Sequence, residues 1–201
     1  MLTFNLRARL LLARAISRSD PRRHSRGFTL VELAAVLAIV GILVGIAAPA
    51  MTATMKSVQL SSASNDLFGS LLLARSEAIK RSGHVVVCTS VDGLACTRTG
   101  GWEQGWIVFL DSNNDGMHGS GEAVIQRVQT LALELRVNGN LNVGRYVSYS
   151  PTGATRLVGG GFQSGTFTLC QQSAGPGEAR QIIISSSGRP RVHKSQVATC
   201  H

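Results

Sequence analysis

The sequence predicts an α+β chain: one long N-terminal helix that begins as a transmembrane segment, followed by a small antiparallel β-sandwich head. Three observations predict it. Phe28 to Ala50 is a 23-residue apolar run whose sole charge is Glu32. An amphipathic pattern then continues to Arg81 without a turn signal, and after Gly83 the texture changes to short β-like runs separated by Gly, Asn and Pro. At 201 residues and 44% hydrophobic composition, the chain suits one ordinary domain plus an appendage. Its 15% charged residues and 22 irregularly placed Gly exclude a disordered polymer and a collagen-like repeat.

The first segment, residues 1–27, is a basic leader. It holds seven Arg and one Asp, which is +6 of the net charge of +9, so residues 28–201 carry only +3. The global basicity is therefore a poor argument for nucleic-acid binding. Leu10-Leu11-Leu12 is too short to span a bilayer. Residues 28–50, as a helix rising 1.5 Å per residue, cover roughly 35 Å, enough for a hydrocarbon core. A cleaved secretory signal has a shorter apolar region before a small-residue site, which Ala47-Ala48-Pro49-Ala50 imitates. Arg22, Arg23 and Arg26 hold the near end in the cytoplasm by the positive-inside rule, so everything after about residue 50 faces outward.

Residues 51–82 read as the same helix continuing out of the membrane. Val58, Leu67, Leu71, Ala74 and Ala78 form an apolar stripe, and Gly83 is a C-cap candidate. Ser57, Ser61, Ser62 and Ser64 read as a solvated face. Unbroken, the helix would reach about 80 Å, with a kink expected at Pro49, which lacks an amide hydrogen. The head, residues 83–201, then offers strand-like runs at 84–89, 106–110, 123–128, 131–137, 145–149, 166–170, 180–185 and 189–193. Gly159-Gly160-Gly161 and Gly175-Pro176-Gly177 read as loops, and no internal repeat is present.

Glu32 needs an explanation beyond anchoring, because a carboxylate in an apolar helix is disfavoured unless it finds a partner. Cleavage after Gly27 would supply one: the new α-amino group of Phe28 is cationic and can pair with Glu32 of a neighbouring subunit. The segment Arg26-Gly27-Phe28-Thr29-Leu30-Val31-Glu32 resembles the type III signal of type IV prepilins and pseudopilins, and Pro49 fits that pattern. The resemblance implies cleavage between Gly27 and Phe28 by a prepilin peptidase, methylation of the new amine, and bundling of the apolar helices in a filament. Beyond the span, the Cys88–Cys96 segment, Gly101-Trp102-Glu103-Gln104-Gly105-Trp106 and Asp111-Ser112-Asn113-Asn114-Asp115-Gly116 resemble the GspH/FimT group of minor pilins and pseudopilins. That resemblance implies a pilin-like fold and a low-abundance subunit of a type IV pilus or a type II secretion system. Its place would be the cell inner membrane as a single-pass protein, head in the periplasm, with other pilins as partners.

Four Cys in a head facing the periplasm favour disulfides over metal. Three pairings exist; Cys88 with Cys96 and Cys170 with Cys200 are expected, the second pinning the C-terminal tail. A four-Cys zinc site lacks the paired short spacing. Asp111, Asn113, Asp115 and Glu122, with Gly116 at the sixth position, satisfy the EF-hand loop pattern. Their flanks read as strands, so the competing reading is a hairpin loop whose side chains bond their own backbone. No cofactor is expected beyond this calcium option. Trp102, Trp106 and Phe109 read as core more than as a binding platform.

No acid follows Glu178, yet Arg180, Arg189, Arg191, His193, Lys194 and His201 do. Arg189 and Arg191 lie two residues apart, on one side if the backbone is extended. Arginine suits phosphate oxygens because its planar fork donates two bonds at once. The Gly188-Arg189-Pro190-Arg191 element resembles the C-terminal motif linked to DNA binding in FimT-like minor pilins of naturally competent bacteria. By that resemblance Arg189 and Arg191 hold the backbone of double-stranded DNA, with Lys194 and Arg180 in support. A basic solvated turn and a contact with an acidic neighbouring subunit are the other readings. No His-x-Glu, Gly-x-Ser-x-Gly or phosphate-loop arrangement supports catalysis, so the sequence predicts a binding or assembly role.

Overall fold

The computed structural model describes residues 27–140 and 142–200. The expected leader, with its leucine triplet and flanking arginines, and His201 lie outside the described residues. The described chain opens on one helix, α1 (Leu30–Arg81), into which Pro49 falls without ending it. Eight strands follow: β1 (Val85–Thr89), β2 (Trp106–Leu110), β3 (Val124–Val128), β4 (Leu135–Gly139), β5 (Tyr146–Tyr149), β6 (Gly165–Gln171), β7 (Gly177–Ile184) and β8 (Pro190–Val197). The chain divides into two compact units, the first ending at Gly45 and the second running Ile46–His201.

In the first unit every described side chain of α1 is exposed, including Leu37, Ile42 and Leu43. A continuous apolar surface of this kind is not stable in water, and α1 as a whole is a helix long and apolar enough to cross a membrane.

In the second unit α1 buries Leu60, Ala63, Leu67, Leu71, Ala74 and Ala78, spaced three or four apart on one face. The stripe is shifted from the sequence reading at its start: Val58 is exposed, and Leu60 and Ala63 take its place. Ser64 likewise belongs to the buried side rather than to a solvated face. The helix ends in a Schellman motif. The Gly83 amide donates to Ala78 O (3.2 Å) and the Ser82 amide to Ile79 O (3.3 Å). The left-handed residue is Ser82, at φ 51°, one position before the expected glycine.

The strands form two four-stranded antiparallel sheets, ordered β3-β2-β1-β5 and β4-β6-β7-β8. One core joins them: the α1 stripe packs with Val85, Val87, Trp106, Val108, Val147 and Tyr149 of the first sheet and Leu135, Val137, Phe167, Leu169, Ile182 and Ile184 of the second. This is the α+β architecture that the sequence predicts. A smaller cluster, Val86, Cys88, Ile107 and Phe109, covers the opposite face of the first sheet, so β1 is buried on both sides.

Three strand boundaries depart from the sequence reading by three residues or more. Residues 131–134 are not strand; the Leu131 amide donates to Glu103 O, and β4 starts at Leu135. β7 begins at Gly177, inside the expected loop, and β8 runs to Val197, because Gly177 pairs with Val197 at the far end of the ladder. Those extensions are polar, so hydrophobic alternation does not reveal them. β8 is the outer strand of its sheet. Both expected disulfides are formed: Cys88–Cys96 with Cα atoms 5.6 Å apart, and Cys170–Cys200 with 6.0 Å.

Candidate functional site

At the N-terminal junction Gly27 and Phe28 are exposed and precede the helix. Thr29 caps α1: its Oγ1 accepts from the Glu32 amide (3.2 Å), and its carbonyl accepts from the Leu33 amide (3.1 Å). Thr-Leu-Val-Glu therefore has the form of a capping box, Thr at the N-cap and Glu at the third helical position. Sequence reasoning could have found this signal in the Thr-x-x-Glu spacing. It places Glu32 in the first turn, where the helix dipole favours a carboxylate, and leaves the carboxylate exposed on the helix surface.

The Asp111–Glu122 loop joins β2 to β3. Asp111 is buried and accepts from the Gly116 amide (2.9 Å) and the Asp115 amide (3.1 Å). Asn113 accepts from the Asp115 amide, Asp115 from the Met117 amide (2.8 Å), and Glu122 from the Ser112 (2.8 Å) and Gly119 (2.9 Å) amides. Burial pushes the Asp111 carboxyl above its ordinary value against the pull of the Gly116 and Asp115 amides, with the Glu122 and Asp115 charges adding to the rise. These side chains close the loop on its own backbone. Among the described residues no group of three or more His, Cys, Asp and Glu is arranged to hold a metal.

The aromatic trio is core. Trp102, Trp106 and Phe109 are fully buried. Trp106 Nε1 donates to Ser70 Oγ (2.9 Å), Trp102 Nε1 donates to Val143 O (3.0 Å), and Trp102 stacks edge-on to Phe167 at 5.0 Å.

The basic tail is carried by the β7–β8 hairpin. The Gly188 amide donates to Ser185 O (2.8 Å), and Gly188 has φ +76°. A Cβ there would collide with Gly153 O, so only glycine permits this approach. The Thr155 amide donates to Ser186 O (3.2 Å) and its Oγ1, which donates to Gln163 O (2.6 Å), lies 3.1 Å from Ser185 O, while Arg75 Nε of α1 donates to Gly153 O (3.0 Å). The turn is thereby tied to the segment that follows β5, and Arg75 ties that segment to the helix. Arg189 and Arg191 are exposed beside it and make no ion pair or hydrogen bond with the described residues.

The structure separates the four basic residues that the sequence groups. Arg191 pairs with Ile183, on the outward face of the sheet, whereas Lys194 pairs with Arg180, in the core-facing row that continues to Leu169. Arg180 is 9% exposed, its Nη2 3.4 Å from Ser61 Oγ of α1. It is therefore not a contact for a duplex at the hairpin; Lys194 is exposed, but on the other face of β8 from Arg191.

A family model described as Type II transport protein GspH matches residues 63–188, and one described as a prokaryotic N-terminal methylation motif matches residues 22–48. The pilin-like protein PilA1 of Thermus thermophilus is 27% identical over 179 residues, covering 83% of this chain and 97% of that protein. The crystal structure of the type IV minor pilin FimU of Pseudomonas aeruginosa superposes with a TM-score of 0.53 at 21% identity, covering 74% of this chain and 99% of that one. The minor pseudopilin EpsH from the type II secretion system of Vibrio cholerae gives 0.45 at 14% identity, covering 70% and 97%. The FimU likeness shows that the fold is pilin-like, as the resemblance implies.

Proposed function

The chain belongs to the GspH family, whose model spans more than half of it, and from that premise we propose a minor filament subunit that captures double-stranded DNA through Arg189 and Arg191. Its family is one of structural filament subunits, so the chain is a binding and assembly protein and not an enzyme. In this reading a prepilin peptidase cuts after Gly27 and the Phe28 amine is methylated, consistent with the matched methylation motif. The helix then sits in the cell inner membrane until it enters a type IV pilus, and the head faces the periplasm.

One observation supports DNA capture most. Two unpaired guanidinium groups stand exposed beside a turn that Thr155 and the close approach of Gly188 to Gly153 fasten to the body of the head. Uncompensated arginines beside a fixed turn suit phosphate contacts that carry no base information. With Arg180 buried and Lys194 on the other face, the duplex meets two principal contacts, and a log-log salt slope of about −1.8 is expected. The test is a gel shift of the detergent-solubilised full chain on duplex DNA across a salt series. A shift at low salt, abolished in Arg189→Ala/Arg191→Ala and kept in Arg180→Met, supports the reading; no shift, or one indifferent to the double substitution, ends it.

The description of the matching family as type II transport favours a second reading, a structural subunit of the pseudopilus tip that exports folded proteins without binding DNA. It predicts no shift at any salt.

Processing and assembly have their own test. Glu32→Gln preserves the capping-box geometry but removes the charge. Cleavage at Phe28 is expected to continue, read by N-terminal sequencing, while the amount recovered in sheared filaments drops at least about tenfold, a loss of about 1.4 kcal/mol or more. Undiminished incorporation would rule out pairing between Glu32 and the neighbouring amine.

A further inference from the structure

Arg180 is a charge without a counter-charge. Arg180 lies in the core-facing row of β7, the residue as a whole 9% exposed, and its guanidinium makes two long contacts, 3.4 Å to Ser61 Oγ and 3.5 Å to Ala179 O. Among the described residues no ion pair includes it, and Glu178, two residues earlier, is exposed and forms none with it. A guanidinium has five donors, so most of its bonding capacity is unused. Beside it runs a recess of about 330 Å³ between α1 and the outer strand β8, lined by Ser61, Ser64, Asn65, Arg180, Val192 and Lys194. Ser64 is 1% exposed, and its Oγ has no hydrogen-bond partner. An arginine with two long contacts and no counter-charge, and a buried hydroxyl with no hydrogen-bond partner, thus line one recess beside a second cation, and the unpartnered hydroxyl is costly in the isolated chain.

We propose that this recess receives the carboxylate of an acidic side chain from a neighbouring filament subunit. The proposal rests on the filament reading and not on DNA capture. A carboxylate accepts two parallel bonds from a guanidinium and a further one from a hydroxyl, matching Arg180 and the neighbouring Ser61, while Lys194 supplies charge at the mouth. A carboxylate on a side chain can enter a recess, whereas a duplex phosphate is held between sugars on a convex backbone and meets exposed cations such as Arg189. Lodging the acid converts an unpaired buried charge into a bonded pair, so the energetic deficit of the free subunit becomes a driving force for docking.

The test uses filaments sheared from cells producing the full chain. A water-soluble carbodiimide joins a carboxylate to an amine in contact with it as an amide, and mass spectrometry then locates the linked peptides. Lys194 is expected to be joined to an Asp or Glu of a different subunit, with the yield falling at least tenfold in Arg180→Met. Lys194→Arg, which keeps the charge but offers no amine, marks the linked species by its loss. In detergent, free Arg180→Met is expected to melt at or above the temperature of the unsubstituted chain, because the apolar stem is retained and the unpaired charge removed. Lys194 linked only to its own Glu178, or unlinked in filaments that contain the chain, overturns the recess. So does an Arg180→Met chain that melts lower while its cross-link is unchanged. Absence of the chain from the filaments overturns the filament reading and the proposal with it.

Discussion

Trp106→Ala is expected to lower the unfolding free energy of the head by about 3–5 kcal/mol, a large fraction of the roughly 5–15 kcal/mol that holds a domain of this size. Trp106 is fully buried where α1 meets the first sheet, in contact range of Trp102 at 6.4 Å between ring centroids. Removing the indole opens a cavity in the cluster that joins the helix to both sheets. It also leaves Ser70 Oγ, which donates to Asp66 O (2.9 Å), without the indole N–H that it accepts. Trp106→Phe fills most of the space and loses only that bond and the second ring, so it is expected to cost less. Urea denaturation followed by circular dichroism measures both; an alanine variant within about 1 kcal/mol of the parent would mean that the helix–sheet interface is not the main source of stability.

Removing the Cys170–Cys200 bridge is the second large effect, expected at about 4 kcal/mol for the Cys170→Ser/Cys200→Ser pair against about 3 kcal/mol for Cys88→Ser/Cys96→Ser. The ordering follows from the sequence separations, 30 and 8 residues, because a longer closed loop takes more freedom from the unfolded chain. Cys200 is also buried against Cys170 and Ala179, and its amide and carbonyl bond Ser173 (3.1 and 3.3 Å). Serine at both positions places hydroxyls in that apolar pocket, adding to the loss. Urea midpoints of the two variants, each in oxidised buffer, decide it: a costlier loss at Cys88–Cys96 would show that strain or local packing, not loop length, sets the values.

The helix and most strand centres were legible because their signals are local. A 23-residue run with a single charge needs no tertiary information, and Val85–Thr89 and Trp106–Leu110 are dense in β-branched and aromatic residues. The ends of β7 and β8 were not, since Glu178, Lys194 and Gln196 are strand residues only by virtue of the ladder that pairs them. The basic tail shows the same limit. Chain proximity groups Arg180, Arg189, Arg191 and Lys194, but pleat and register decide which face each occupies, and register is a property of two strands at once. The left-handed Ser82 one residue before Gly83 shows how a correct terminator can be placed one position off.

The full length of β8 presents one row of main-chain donors and acceptors to solvent, and such a rim is a template onto which another molecule's strand can zip. Arg191 and Lys194 along it, with no acid beyond Glu178, make two such rims repel when they approach edge to edge. The protection is electrostatic and fades once ions shorten the range of the charges. Solutions of the protein concentrated in strong brine, or variants with these positions neutralised, are therefore expected to drift toward fibrillar aggregates, read by light scattering, while dilute buffers keep the molecules dispersed.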